Sequence, residues 1–589
     1  MKFNNFATYL QTIESLDSRL AMTEALAQLF AKAEASEIDQ ICYLSLGMLK
    51  PKFMGLELNL AEKMMLRVLA QVTNQSVEVV TNEFKTQGDI GLTMQALLEK
   101  RTAIQSDLTV SQVYDQLCQI AQEEGEGSQE RKIVGMTKLL TGMDKVSAKF
   151  LVRIPVKKLR LGFSDMTILD ALSWMQTGDK SLRSPLERAY NIRADIGQIA
   201  QIFKKSGLVG VEQMTPQTGT PIVPCRATPL LNPQEILDKM GGEAAMEPKF
   251  DGFRVQIHID KSKQFKSETG VELGLFETKT EKSYVEIFSR NMENMTYMFP
   301  DLVEASQNLP VDSAILDGEA LAFNPQTGQT LDFQETVKRK RKHNIGKVKE
   351  EIPLKAFIFD LLYLNGKSLL SNVEQKRRQQ LEQVFSKNTS NQLVLTEQKI
   401  VDNPEDFKAF FNQVAQEGLE GLMAKKIQAP YKAGARDFTW VKYKIGMQSE
   451  MADTVDAIVM GYFKGQGKWT KFGMGKILVG VPSNGQIISL SKVGSGFSED
   501  KIVELVKRSK AVEITHKPTD YVVDKTLIPD VWLKPQILVE IRADSISRSP
   551  LYKTQLSLRF PRFIKFRDDK SVDEATSLKQ LQAMVKASE

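Results

Sequence analysis

The first 205 residues repeat apolar side chains at the 3.6-residue spacing of amphipathic helices. Glycine, proline and β-branched runs are sparse there, and residues 123–128 form one polar, glycine-containing break. The apolar positions that share helix faces include Leu20, Thr23, Leu26, Ala27, Phe30, Leu139, Leu140, Met143 and Leu151. The pattern predicts an all-α region over residues 1–215.

Residues 216–230 interrupt this pattern with clustered proline and glycine, which is typical of a linker. Between 231 and 444, short alternating segments mix with helical ones. Val255, Ile257 and Ile259 alternate with polar residues, as expected for a strand with one buried face. Residues 374–385 have the charge pattern of an exposed helix. This region is therefore expected to be an α+β domain with antiparallel sheet.

Beyond Lys444 the chain becomes strand-rich, with short apolar runs at 457–460, 476–479 and 487–490 and glycine-rich turns between them. About five short strands within some 120 residues are typical of a small barrel or sandwich. We therefore expect a third domain over residues 445–589.

The overall composition excludes few classes of protein. A chain of 589 residues is too long for one core, and a formal net charge of +5 is compatible with a polyanionic partner without requiring one. The three cysteines, Cys42, Cys118 and Cys225, lie far apart, so neither a four-cysteine zinc site nor a disulfide framework is expected. Without an apolar run of membrane-spanning length, the expected location is the cytoplasm or nucleoid, or the nucleus in a eukaryote.

Candidate chemistry begins with the octapeptide at 247–254, which runs Glu247-Pro-Lys249-Phe-Asp251-Gly252-Phe-Arg254. A lysine attacks phosphorus only as the neutral amine, so a nucleophilic lysine needs surroundings that favour that form. A Lys-x-Asp-Gly segment taken alone is more often a solvated turn than a catalytic site.

Further charged and aromatic residues follow in segments that resemble strands. Glu319 and Glu420 could hold Mg²⁺ that retains several waters, and Phe359 could stack on a purine. The cations that could neutralise a triphosphate are Arg254, Arg290, Lys425 and Lys442. Each feature alone is more often structural, but together they are the components of a nucleotidyl-transfer site.

The ordered set of these segments resembles the nucleotidyltransferase motifs of ATP-dependent DNA ligases of the archaeal and eukaryotic replicative type. The matching segments, in chain order, are Glu247-x-Lys249-x-Asp251-Gly252, Ser289-Arg290-Asn291, Asp317-Gly318-Glu319, Phe359-Asp360-Leu361-Leu362-Tyr363, Glu420-Gly421-Leu422-Met423-Ala424-Lys425, Trp440-Val441-Lys442-Tyr443-Lys444 and Leu558-Arg559-Phe560-Pro561-Arg562. Two segments at 159–162 and 187–190 are similar to the DNA-binding domain of the same ligases, so the resemblance covers nearly the whole chain.

The resemblance implies three domains: a helical DNA-binding domain (1–215), an adenylation domain (231–444) and an OB-fold domain (445–589). It implies that Lys249 becomes adenylated by ATP, that Glu247 contacts the adenine and that Phe359 stacks on it. Glu319 and Glu420 would position Mg²⁺ and the nucleotide. The residues implied around the sugar and phosphates are Arg254, Arg290, Lys425, Arg436 and Lys442, and those with other supporting roles are Asp251, Lys444, Arg559 and Arg562.

The implied substrate is nicked double-stranded DNA, joined by a monomer through contacts with the DNA backbone. Candidate DNA contacts are Arg153, Lys157, Lys158, Arg160 and the basic run 338–342. A sliding clamp is a further candidate partner, although no clamp-binding peptide stands out. The segment 261–282 is expected to be an inserted hairpin or loop.

Several alternatives stay open at this point. An RNA ligase or a GTP-using capping enzyme shares the lysine chemistry, but the large helical region argues against both. An NAD-dependent ligase is disfavoured because too few cysteines are present for the zinc site of that family. A catalytically inert DNA-binding scaffold is the alternative from a different class, and the intact lysine and glutamates argue against it.

Overall fold

The computed structural model describes residues 1–99, 107–264, 283–327, 329–331, 335–336, 339, 352–444, 454–465, 472–543, 545–549 and 551–588. These residues form two compact units, Met1–Tyr443 and Lys444–Glu589. The predicted separation of residues 1–215 from 231–444 stays a prediction. Most of the predicted insertion at 261–282 lies outside the described residues.

The described part of residues 1–213 is helical. Its helices are α1 Phe3–Glu14, α2 Arg19–Lys32, α3 Ile38–Ser45, α4 Glu62–Thr73, α5 Val77–Gln87, α6 Ile90–Leu98, α7 Val110–Ala121, α8 Ser128–Thr141, α9 Lys145–Leu151, α10 Asp165–Thr177, α11 Arg183–Ile192 and α12 Ile196–Glu212. Polar caps begin several of them: Asp144 Oδ1, for example, accepts hydrogen bonds from two backbone N–H groups of α9, each at 2.9 Å.

The predicted apolar faces of these helices line one shared core. Leu26, Phe30, Leu139 and Leu151 are fully or almost fully buried there. Leu20 is an exception with 48% of its surface exposed, because it lies in the first turn of α2, at the edge of the packed face. Local apolar spacing therefore identifies the core face of a helix better than it identifies where burial ends.

In the part of the same unit that the structure describes, two sheets follow, together with helices that pack beside them. The first sheet has the strand order β1-β11-β10-β2-β9, formed by β1 Arg226–Pro229, β2 Ala244–Lys249, β9 Lys399–Val401, β10 Gly421–Lys425 and β11 Arg436–Lys444. The second has the order β4-β3-β5-β6-β7, with β8 beside β6, formed by β3 Phe253–Gln264, β4 Ser283–Ser289, β5 Ser313–Ala322, β6 Leu354–Leu364, β7 Lys367–Ser368 and β8 Leu393–Leu395. The helices are α13 Pro233–Met240, α14 Pro300–Gln307, α15 Glu374–Phe385 and α16 Pro404–Gln416.

Most pairings in these sheets are antiparallel, as predicted, but β1 runs parallel to β11 and β8 runs parallel to β6. The alternation along β3 has a different cause from the one expected, because its polar residues are buried as well. The linker covers them: Gly219 N donates to His258 Nδ1 at 3.0 Å, and Ile222 N donates to Gln256 Oε1 at 2.8 Å. The linker is therefore hydrogen-bonded to the sheet.

The second unit contains a curved eight-stranded sheet, a short two-stranded sheet and two helices among its described residues. Its elements are β12 Val455–Phe463, β13 Lys476–Ser483, β14 Gln486–Val493, α17 Glu499–Lys510, β15 Glu513–Ile514, β16 Tyr521–Val522, β17 Val531–Leu533, β18 Leu538–Arg542, β19 Ser545–Arg548, β20 Leu556–Arg559, β21 Arg562–Phe566 and α18 Leu578–Ser588. The molecule thus combines helices and sheets in more than one domain. Across the described ranges, none of the helices has both the length and the hydropathy needed to span a bilayer.

Candidate active site

Lys249 ends β2 and lies beside Glu420, which directly precedes β10. Antiparallel pairing places Lys249 opposite Gly421, and Glu420 N donates to Lys249 O at 3.0 Å. The side chains of the two residues also meet, and Lys249 Nζ forms an ion pair with Glu420 Oε2. Both side chains are about one-fifth exposed, so a ligand can reach the amine.

Gly252 lets the loop after Lys249 pass directly over β5. A Cβ atom at this position would lie 2.5 Å from the backbone oxygen of Ala320, a distance that no side chain tolerates. The same close approach lets Gly252 N donate to Glu319 Oε1 at 3.2 Å. The glycine of the motif is therefore required for packing and brings a second carboxylate towards Lys249.

Glu319 lies on β5 opposite Arg254 of β3 and is partly buried. Burial raises the pKa of its carboxyl group to about 7, although the nearby charges of Lys249 and Arg254 oppose this shift. A carboxyl group that titrates near neutrality beside an amine is typical of a functional site.

Arg254 is held by a network of buried groups. Its Nε and Nη2 donate to the two carboxylate oxygens of Asp317 at 3.0 and 2.7 Å, and its Nη1 donates to Cys225 O at 2.7 Å. Tyr431 Oη donates to Asp317 at 3.1 Å and accepts from Cys225 N at 3.0 Å. Burial would lower the pKa of Arg254, but the charge of Asp317 outweighs it and raises that pKa. The guanidinium is thus fixed as a cation.

A second buried pair lies behind the amine. Lys425 Nζ is 2.8 Å from Glu247 Oε2, and each side chain is at most 2% exposed. Lys425 also donates to the backbone oxygen of Phe359 at 2.7 Å. Gln398 Nε2 donates to the other carboxylate oxygen of Glu247 at 2.8 Å. Glu247 is therefore held at both oxygens.

An aromatic pair connects these two charged clusters. Phe359 and Trp440 meet edge to face with ring centroids 5.8 Å apart. Lys425 Nζ lies 5.1 Å from the centroid of the Phe359 ring, and the Arg254 guanidinium lies 5.7 Å from the same centroid. Amine, carboxylates, cations and one partly buried aromatic ring thus form one continuous site, as a nucleotide requires.

The remaining candidates lie at exposed or partly buried positions. Asp251, Arg290 and Arg436 are exposed, and Lys442 is partly buried and lies on β11. Lys444 is the last residue of β11, whereas Arg559 and Arg562 are exposed residues of the second unit, where they flank the turn between β20 and β21. Their roles stay predictions.

Two candidate DNA contacts are wrong. Arg153 is 1% exposed and forms ion pairs with Asp89 and Glu14, each at 2.7 Å. Arg339, the one described residue of the basic run, is equally buried and pairs with Asp301 at 2.7 Å. Both guanidinium groups are used to satisfy buried carboxylates, so neither can reach a phosphate. The other four residues of the run lie outside the described residues.

Sequence reasoning missed Tyr431, Gln398 and the fully buried Asp360–Arg377 ion pair, in which Arg377 Nε lies 2.8 Å from Asp360. Asp317 and Asp360 belong to the matching motifs, but the resemblance implies no role for either. The sequence signal for these buried pairs is a charged residue inside an apolar strand. Such a residue requires a buried partner, but the sequence does not reveal which residue that partner is.

The carboxylates beside Lys249 fit a hard divalent cation. The described residues contain no cluster of three or more protein ligands, so a protein cage is not formed there. Two carboxylates, Glu319 and Glu420, suit Mg²⁺, which keeps waters and binds substrate phosphate oxygens alongside few protein ligands.

Comparison with known proteins gives consistent matches along the whole chain. A family model described as ATP dependent DNA ligase domain matches residues 276–444, and models described as DNA ligase N terminus and ATP dependent DNA ligase C terminal region match residues 2–173 and 455–570. A "Probable DNA ligase" of Dictyoglomus turgidum is 38% identical over 595 residues, covering 99% of this chain and 97% of that protein. A "DNA ligase" of Saccharolobus solfataricus is 37% identical over 608 residues, with 99% and 97% covered. A solved structure titled "Pmar-Lig_PreS3" shares the fold, with a TM-score of 0.54 at 21% identity over 95% of this chain and 99% of that one.

Proposed function

Because this chain belongs to the family of ATP-dependent DNA ligases, we propose that it seals nicks in double-stranded DNA through an AMP group carried on Lys249. The observation that carries the proposal is the position of Lys249 Nζ. It is accessible, paired with Glu420, close to Glu319, and backed by the fixed cations Arg254 and Lys425.

The chemistry consists of three transfers. Lys249 Nζ attacks the α-phosphorus of ATP, a phosphorus–nitrogen bond forms, and the bond to the β-phosphate breaks to release pyrophosphate. Glu420, the ion-pair partner of Lys249, is placed to take the proton that the amine must lose. AMP then moves from the lysine to the 5′-phosphate of the nick. The 3′-hydroxyl finally attacks that phosphate and displaces AMP.

The surrounding residues bind and orient the nucleotide. Glu247 contacts the adenine and Phe359 stacks on it. Arg254 uses four of its five N–H donors on Asp317, Cys225 and Tyr431, so among the described residues one donor is left for the ribose or a phosphate. Lys425 is buried against Glu247 and acts on the nucleotide by holding that carboxylate in place. The other contacts to the sugar and phosphates come from Arg290, Arg436 and Lys442.

Glu319 and Glu420 would hold Mg²⁺, which would supply positive charge to the phosphoryl oxygens. The two carboxylates face the amine from separate sheets, an arrangement that supports this assignment. Arg559 and Arg562 orient pyrophosphate during the first transfer. Lys444 and Asp251 have supporting positions without an assigned step.

We assign DNA binding to residues 1–215, adenylation to 231–444 and an OB-fold to 445–589. The helical and mixed regions and the curved sheet of the second unit support this layout.

Contacts with the DNA backbone suit an enzyme that accepts any DNA sequence. Lys157, Lys158 and Arg160 are all more than 40% exposed and suit such contacts. We expect the chain to act as a monomer in the cytoplasm or nucleoid, or in the nucleus of a eukaryote. Binding of a sliding clamp stays a prediction.

The test uses labelled nucleotide and DNA in sequence. The purified chain is incubated with ATP, GTP or NAD labelled in the part that would be retained, and the covalent adduct is then chased with nicked DNA or nicked RNA. An adduct with ATP that discharges onto nicked DNA is expected. An adduct with GTP or NAD alone, or discharge onto RNA alone, would refute the proposal.

A further inference from the structure

Gln398 lies between two buried carboxylates and connects them. Its Nε2 donates to Glu247 Oε1 at 2.8 Å and to Glu374 Oε1 at 2.9 Å. Glu247 is 2% exposed and Glu374 is 4% exposed. A side-chain amide nitrogen has two hydrogens, and the two carboxylates use both of them. The orientation of this amide is therefore determined by its partners.

The backbone explains how Gln398 reaches Glu247 from 151 residues away. Strand β9 pairs with β2 so that Lys399 lies opposite Met246 and Ile400 lies opposite Ala245. One further step along this register brings Gln398 opposite Glu247. Glu374 approaches from another direction, as the first residue of α15, where the helix N-terminus favours a negative charge.

Glu247 would have a competing partner if Gln398 were absent. Arg378 Nη1 is buried, has no hydrogen-bond partner among the described residues, and lies 3.8 Å from Glu247 Oε1. A small rotation of the Glu247 carboxylate would close this gap and satisfy the buried donor. The hydrogen bond from Gln398 opposes that rotation.

We propose that Gln398 is a positioning residue that sets base specificity, because it holds the Glu247 carboxylate in the orientation that accepts a hydrogen bond from the 6-amino group of adenine. The inference rests on the proposed function, in which Glu247 contacts the adenine. Lys425 and Gln398 occupy two of the roughly four acceptor positions of this carboxylate, so others remain for the base. A base that carries a carbonyl oxygen at position 6 would face these acceptors with a further acceptor.

The test compares ATP with purine riboside 5′-triphosphate, which lacks only the 6-amino group. The rate of adduct formation is measured against nucleotide concentration for the full chain and its variants, without DNA. A hydrogen bond to a charged group predicts that the unmodified chain prefers ATP by about 10- to 100-fold in kcat/KM.

Gln398→Met keeps the length of the side chain but removes both donors. It is expected to lower this preference to about threefold or less, mainly by raising the KM for ATP, with little effect on the amino-free nucleotide. Gln398→Glu replaces the donors with acceptors. Its preference for ATP is expected to fall at least as far as that of Gln398→Met. Thr396→Val is the matched control: Thr396 is buried two residues away, and its hydroxyl has no hydrogen-bond partner among the described residues.

Retention of the full preference by both Gln398 variants would overturn the inference. An equal loss of kcat/KM with both nucleotides would overturn the inference as well, because that outcome indicates a packing role for Gln398. Lack of an ATP preference in the unmodified chain would also count against it. Failure of the unmodified chain to form any adduct with ATP is a separate outcome, which refutes the proposed function and this inference with it.

Discussion

Replacing Glu319 with glutamine is expected to stabilise the first unit while abolishing adenylation. Burial raises the pKa of Glu319 from its ordinary 4.5 to about 7, so the folded chain keeps a proton that the unfolded chain releases. As pH rises from about 4.5 to 7, this difference favours unfolding, and the loss is complete above pH 7. Glutamine mimics the protonated form and removes the penalty.

The magnitude follows from the same pKa values. Each pH unit over that interval is worth about 1.4 kcal/mol, which gives about 3 kcal/mol at pH 8 and less than about 1 kcal/mol near pH 5. Solvent screening of a partly exposed group reduces the first figure to about 2 kcal/mol. The unfolding entropy of a unit as long as Met1–Tyr443 makes each kcal/mol worth about 1 °C, so we expect Glu319→Gln to raise Tm by roughly 2 °C at pH 8.

Differential scanning calorimetry of the full chain at pH 5 and pH 8 measures this difference, and adduct formation from labelled ATP measures activity. Glu243→Gln removes the same charge at an exposed position and serves as the control. The reasoning is refuted if Glu319→Gln is no more stable than the unmodified chain at pH 8, or if its advantage is the same at both pH values. Full adenylation activity in this variant would refute the assigned role of the carboxylate.

Three further variants test separate parts of the structure. Tyr431→Phe removes the hydroxyl group from the network around Arg254 and is expected to cost about 1–2 kcal/mol of stability and to raise the KM for ATP severalfold; an unchanged KM in adduct assays would contradict this. Asp360→Asn leaves Arg377 buried without its charged partner and is expected to cost about 3–5 kcal/mol, seen as a lower Tm in calorimetry; an unchanged Tm would show that the pair is not needed. Lys158→Ala is expected to reduce the slope of log affinity for nicked DNA against log salt by about 0.9, and an identical slope in binding titrations would remove Lys158 from the DNA-binding surface.

Much of the local structure could be predicted because it depends on neighbouring residues. Residues 374–385 form a helix with the predicted bounds, and the apolar runs near 457, 476 and 487 lie within strands. The spacing of apolar and charged residues determines such elements directly. The nucleophilic lysine could be predicted for a similar reason, because its motif includes the glycine that the local backbone requires.

The partners of the site residues could not be predicted, because each comes from a distant segment. Gln398 is 151 residues from Glu247, and Tyr431 is 114 residues from Asp317. Arg153 shows that a distant partner can also make a prediction wrong. Beside Lys157 and Lys158 it has the pattern of an exposed basic cluster, but it is buried because it pairs with Asp89, 64 residues earlier. Burial of a charge depends on a tertiary partner that a single sequence does not identify.

The most direct test of the central claim locates the covalent AMP. After incubation with ATP, the intact chain should gain the mass of one AMP group, and peptide mapping should assign that group to Lys249. Lys249→Ala should show no gain, and nicked DNA should discharge the group from the unmodified chain. An AMP group on any other residue, or an adduct in Lys249→Ala, would contradict the account.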